Sequence, residues 1–278
     1  MTIYIHLERS GVCKPFPIPY PCNPGKSMNR KTLALLLAAA AANIHAANLY
    51  FATEPVEASD YFNNPDYQRF TETCEDQVNI QTDVHKSKTN RPKIDEQLNH
   101  DAPTPEDLKK FIIGSIKEFY EEGSDKESLC TATHNYTTRY TPNYLGHHGA
   151  LEQFSVTTEL YLGGAHGVAG TTYYVFDEQD RRLTLADLLQ GDKSTLYPLL
   201  DAEYKKEATF DPAAKDLEEY EREQVKNLHE ADNFYFSADG IVFSYVPYAV
   251  APFAAGQVEL TLPYSKLRGI IKDAYLPQ

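Results

Sequence analysis

A histidine set among glycines is the residue in this chain with the most chemical potential. Gly163, Gly164 and Gly167 surround His166 in the run Tyr161-Leu-Gly-Gly-Ala-His-Gly167. Imidazole titrates near neutral pH, so it can serve as a general base, a proton shuttle or a metal ligand. Each role needs company: a metal needs several converging ligands, and a general base needs a positioned partner. His147 and His148 are a second pair of imidazoles. Neighbouring side chains on a strand point to opposite faces, so such a pair does not readily chelate one ion. An acid such as Asp177 would have to assist His166 in a hydrolase or metal-dependent enzyme. The HExxH, P-loop and GxSxG patterns are all missing. No catalytic residue, metal site or cofactor is therefore assigned. The glycines favour another use, a backbone that reaches positive φ and approaches a neighbour closely. A second segment, Pro247-Tyr-Ala-Val-Ala-Pro-Phe253, adds aromatic groups in a proline-stiffened loop. Such groups lose little entropy on binding and make good interface anchors. Gly163, Gly164, His166, Gly167, Tyr248, Pro252 and Phe253 are the candidate binding residues. The alternative is that the glycines only permit a sharp turn and the aromatics cover a core edge.

The flanking patterns show what must hold these loops. Phe154, Val156 and Leu160 alternate with polar residues, and Thr171 to Phe176 is a further strand. Nothing helical lies between them, so a hairpin or meander is expected. Gln77 to Asp83 and Thr131 to Tyr140 are expected strands, with His85–Asn90 a charged turn and Pro142–Gly149 a turn-rich loop. Ile94 and Leu98 have helical spacing. Thr104, Pro105 and Asp107 form an N-cap, N1 and N3 signature before the apolar stripe Leu108, Phe111, Ile112, Ile116, Phe119 and Tyr120. Gly123 is the expected stop. Thr184 and Asp187 repeat the capping pattern before a short helix. Helices are expected over Ser194–Ala208, Asp216–Leu228 and Tyr264–Tyr275, and strands over Asn233–Ser237, Gly240–Val246 and Gln257–Leu262. Strands and helices segregate by region, which predicts an α+β fold of antiparallel sheets with helices packed on one face. Two adjoining subdomains are expected, 76–170 and 171–278, after a polar linker over 47–75.

The N-terminal region predicts export. A basic start, Met28 to Lys31, precedes an 11-residue apolar run, Thr32 to Ala42, and a small-residue cleavage pattern ending at Ala46. That is the order of a secretory signal peptide over 28–46, and the run is shorter than the roughly 20 residues a membrane span needs. Residues 1–27 are proline-rich and form an upstream extension outside the fold. The expected location is periplasmic or secreted, with no membrane span after cleavage. The whole chain carries a net charge of −14. From Ala47 onward it has 21 basic and 39 acidic residues, or −18. That balance excludes nucleic acid as a natural partner and favours a basic protein. Cys74 and Cys130 remain after cleavage. In an exported protein the pair is expected to form a disulfide, closing a loop of about 57 residues and stabilising by roughly 4 kcal/mol; the alternative is two buried free thiols.

The order of motifs carries a resemblance. Leu162-Gly-Gly-Ala-His-Gly167, Thr171-Thr-Tyr-Tyr-Val-Phe-Asp177 and Leu183-Thr-Leu-Ala-Asp-Leu-Leu189 come first. Phe234 to Phe243, Pro247 to Phe253, Gly256 and Leu262-Pro-Tyr264 follow. Together they resemble a pair of bacterial extracytoplasmic domains of unknown function. That pair occurs in RsiV-type anti-sigma factors and ahead of the catalytic domain of PdaC-type peptidoglycan deacetylases. The likeness spans roughly Asp76 to Tyr275 and is strongest from Phe154 onward. It implies an envelope binding domain that engages lysozyme or a related basic cell-wall factor, as sensor or inhibitor. It does not carry over the signalling or deacetylase activities. The alternatives are an envelope hydrolase using His166 and a structural envelope protein.

Overall fold

A computed structural model describes residues 49–63, 65, 67–68, 72, 78–122, 134–163, 165–206, 208 and 210–277. All belong to the compact unit Ala46–Gln278. The expected signal peptide, Gly164, Cys74 and Cys130 lie outside the described residues. The fold is α+β with antiparallel pairing dominant, as the sequence predicts.

Five strands form the first sheet in chain order: β1 (Phe51–Pro55), β2 (Val78–Thr89), β3 (His134–His148), β4 (Leu151–Tyr161) and β5 (Val168–Phe176). The short helix α1 (Ser59–Phe62) follows β1. The β2–β3 pair is parallel, which requires a crossover rather than a hairpin. Helices α2 (Pro92–Leu98) and α3 (Pro105–Glu122) lie within that crossover. Alternate strand residues Tyr140, Phe154, Val156, Tyr174 and Phe176 pack with Ile94, Leu98, Leu108, Ile112 and Ile116 from the two helices. The buried Tyr140 hydroxyl donates to the Leu98 carbonyl at 2.5 Å, and burial pushes its pKa up. The start of α3 is fixed as its sequence predicts. The Asp107 carboxylate accepts from the Thr104 N–H (2.9 Å) and hydroxyl (2.7 Å), and the Asp107 N–H donates back at 3.2 Å.

The second sheet has the order β6 (Phe234–Phe236), β7 (Gly240–Tyr245) and β8 (Val258–Pro263). It shares a core with α4 (Leu185–Leu188), α5 (Tyr197–Tyr204), α6 (Glu219–His229) and α7 (Tyr264–Leu267) through Leu185, Leu188, Leu200, Leu228, Phe243 and Leu267. Leu151 and Val175 of the first sheet also enter this core. Thr184 and Asp187 cap α4. Hydrogen bonds from the Thr184 backbone and then its hydroxyl, with the Arg181 guanidinium, hold the Asp187 carboxyl at about 2.

The structure corrects five expectations. His85–Thr89 continues β2 instead of turning, because it pairs with β1 from Pro55↔His85 to Phe51↔Thr89. Phe51–Pro55, expected as linker, is therefore an edge strand. Pro142–His148 continues β3. Pairing with β2 ends at Val84↔Tyr140, so Pro142 faces a free edge where its missing N–H costs nothing. The expected helix Tyr264–Tyr275 stops at Leu267; Gly269 takes φ 80° and Ile271 bridges to Leu189. The first sheet also runs to Phe176, past residue 170.

Candidate functional site

The β4–β5 hairpin carries the glycine-rich turn at its far end. Leu160↔Val168 is the last register pair before it. Gly163 has φ 89°, a region that L side chains avoid. At Gly167 an added Cβ would sit 2.8 Å from the Leu160 carbonyl oxygen. Both positions thus need glycine for the turn itself. The second loop joins β7 to β8. Tyr248 is held at φ 71°, Pro252 precedes a 3-10 turn over Phe253–Ala255, and Gly256 closes it at φ 68°.

The two loops meet as one aromatic cluster. The His166 ring stacks on Phe253 with centroids 3.9 Å apart and planes at 18°. Tyr248 Oη lies 3.2 Å from His166 Nε2, and the Tyr248 and Phe253 rings are 5.5 Å apart. His166 Nδ1 is 3.1 Å from the Gly167 carbonyl oxygen. A carbonyl only accepts, so Nδ1 is the donor of that contact, and in the neutral ring Nε2 is left to accept from the Tyr248 hydroxyl. Both nitrogens are engaged. Asp177, the expected acid partner, follows the opposite end of β5, about 30 Å along the strand. Its carboxylate instead accepts from the Gln179 and Arg181 N–H groups. His148 stacks on Phe236 and Tyr264, where burial lowers its pKa. Among the described residues, no group of three or more His, Cys, Asp or Glu could hold a metal.

The surface around the cluster is apolar. Leu160, Leu162, Val168, Val246 and Tyr248 are five of the nine large hydrophobic side chains exposed among the described residues, so exposure concentrates at this end. Val168 is 71% exposed and Tyr248 61%. Val246 lies across β5; a Cβ on Gly170 would come within 2.8 Å of its Cγ1. A concavity of about 560 Å³ is lined by His148, Leu151, Asp177, Tyr275 and Pro277 and contains none of the candidate binding residues.

Three side-chain amides fix the sheets that carry the loops. Gln257 accepts from the Thr171 N–H at 2.8 Å and donates to Ser244 Oγ at 2.6 Å. Asn233 accepts from the Tyr173 N–H at 2.7 Å and donates to the Thr171 carbonyl at 2.9 Å. Gln153 pairs both ways with the Phe236 main chain, at 2.7 and 3.1 Å. A carboxamide offers one acceptor and two donors, so it can imitate a neighbouring strand on an otherwise open edge. Sequence reasoning passed over all three. The available signal was a glutamine beside Phe154 in an alternating strand, which by itself does not name its partner.

Comparison with known proteins places part of the chain. Residues 186–265 match a family described as a protein of unknown function (DUF3298). No curated protein matches. A solved DUF3298 family member from Bacteroides fragilis NCTC 9343 is similar at 21% identity and TM-score 0.52, covering 81% of this chain and 92% of its own. A DUF3298 family protein from Pseudomonas aeruginosa PAO1 aligns at 18% identity and TM-score 0.43, covering 72% and 87%. The matched residues include Tyr248, Pro252 and Phe253 but not the 163–167 turn. Residues 186–265 thus carry the likeness to the DUF3298 domain, within a fold shared with the Bacteroides protein.

Proposed function

We propose that this chain is an exported binding protein of the bacterial envelope, taking a basic cell-wall factor, lysozyme foremost, as its partner. The supporting observation is the convergence of two distant loops in the contact of His166 with Tyr248 and the half-exposed Phe253, with Leu160, Leu162 and Val168 exposed on the hairpin that carries His166. An apolar centre with aromatic anchors suits a protein interface. The charge of −18 beyond the signal-like segment would steer a basic partner and suppress acidic ones. The resemblance to the RsiV-type region points to the same class of partner. The test is capture of the protein on immobilised lysozymes at low and moderate salt, with a cell-wall lysis assay alongside. Binding with loss of lysis marks an inhibitor or sensor. Binding without that loss marks a scaffold. Failure with every lysozyme type at low salt removes the reading.

A further inference from the structure

Glu259 is an exposed carboxylate held in place by two phenols. Tyr173 Oη donates to one carboxylate oxygen at 2.9 Å and Tyr235 Oη to the other at 3.2 Å. The two rings lie 4.4 Å apart at 32°. Burial raises both phenol pKa values, and Glu259 reinforces the shift, so each hydroxyl keeps its proton and stays a donor. Among the described residues, no basic side chain pairs with Glu259, whereas Glu159 and Asp83 are both paired to Arg139.

The position matters as much as the contacts. Gln257, just before β8, touches Thr171 of β5, and Glu259 and Tyr173 lie two residues further along the chain in each case. That step is about 7 Å. The carboxylate therefore sits one such step beyond the Gln257–Thr171 contact, on the side away from the two loops. A free surface glutamate loses side-chain entropy when it pairs, which cancels much of the gain. Here the two phenols have already fixed it. A carboxylate has about four lone-pair sites and the phenols use two, which leaves room for a forked guanidinium or an ammonium.

We propose that Glu259, clamped by Tyr173 and Tyr235, is a receptor for an arginine or lysine side chain of the partner. The proposal rests on the reading that the partner is basic. A probe other than lysozyme separates the two. Tetra-arginine amide would be titrated into the full chain, observed by NMR at the tyrosine ring and glutamate side-chain signals. The expected shifts centre on Tyr173, Tyr235 and Glu259. Glu259→Gln should weaken binding about fivefold, the size of a well-placed exposed pair. Glu219→Gln on α6 should leave it unchanged. The Tyr173→Phe, Tyr235→Phe double variant keeps the charge but frees the carboxylate, and should weaken binding about threefold. Equal effects of Glu259→Gln and Glu219→Gln, or shifts spread evenly over the acidic surface, would overturn the site. Full affinity in the double variant would overturn the clamp. Tetra-arginine binding without lysozyme binding would remove lysozyme and leave the receptor. Lysozyme binding untouched by Glu259→Gln, with no tetra-arginine shift, would do the reverse.

Discussion

Two of the contacts that join the two sheets of this molecule stand on opposite physical terms. One join is the amide seam of Gln153, Asn233 and Gln257, with Gln153 only 5% exposed. The other is the contact of His166 with Tyr248 and Phe253, with Tyr248 61% exposed. In the seam, Gln153 satisfies peptide groups buried away from water and Asn233 and Gln257 satisfy part-buried ones, so removing an amide leaves a donor or acceptor short of a partner. In the loop contact every polar group has water as a substitute partner. The seam is therefore a stability device, and the loop contact can change with little effect on folding.

Gln153→Ala should break the first join most severely. It leaves both the N–H and the carbonyl of Phe236 unpaired, a loss of about 3 kcal/mol, read from the urea midpoint. Asn233→Ala should cost less, about 2 kcal/mol, because its site is only part-buried. If neither variant shifts the midpoint, the two joins do not differ as argued.

Tyr248→Gly sharpens the comparison from the other side. A tyrosine at φ 71° carries backbone strain that glycine relieves, while glycine adds freedom to the unfolded chain. The two effects nearly cancel, so stability should stay within about 1 kcal/mol of the native protein. Partner binding should be lost in the same variant. The smallest effect concerns His148, whose pKa burial lowers from 6.5. Its contribution to stability is full above pH 6.5 and is lost as pH falls from there toward the folded pKa. His148→Phe keeps the stacking and removes the titration. Its stability should fall less than that of the native chain between pH 7.5 and 5.5, a window of about 2 units spanning the unfolded histidine pKa.

Features set by near neighbours were legible in the sequence. The Thr104–Asp107 and Thr184–Asp187 caps and the β4–β5 hairpin each depend on residues a few positions apart. Helix α2 was legible from Ile94 and Leu98, both fully buried. Features set by distant pairing were not. Nothing local in His85–Thr89 announces that Phe51–Pro55 pairs with it, and charged Lys86 and Lys88 disguise the strand. Pro142 looked like a turn because the free edge that tolerates it exists only in the sheet. The parallel β2–β3 pair was hidden behind its crossover helices. Of the candidate site, glycine spacing and aromatic loops pointed to His166, Tyr248 and Phe253, which the fold brings together, and to Gly163 and Gly167 in the turn. The amides that hold those loops, and Glu259 beside them, depend on side-chain partners no single position names. Asp177, the example of an acid for His166 in the alternative hydrolase reading, lies a whole strand away, because closeness in sequence says little when a strand intervenes.

The central claim is that the loop cluster, not the seam, meets the partner. Its most direct test is calorimetric titration of the full chain with lysozyme, native against the Tyr248→Ala, Phe253→Ala double variant, with thermal melts of both. The account predicts binding by the native chain and none measurable by the variant, with melting temperatures within a few degrees, about the shift that 1 kcal/mol produces. Undiminished binding by the variant, or none by the native chain, would contradict it.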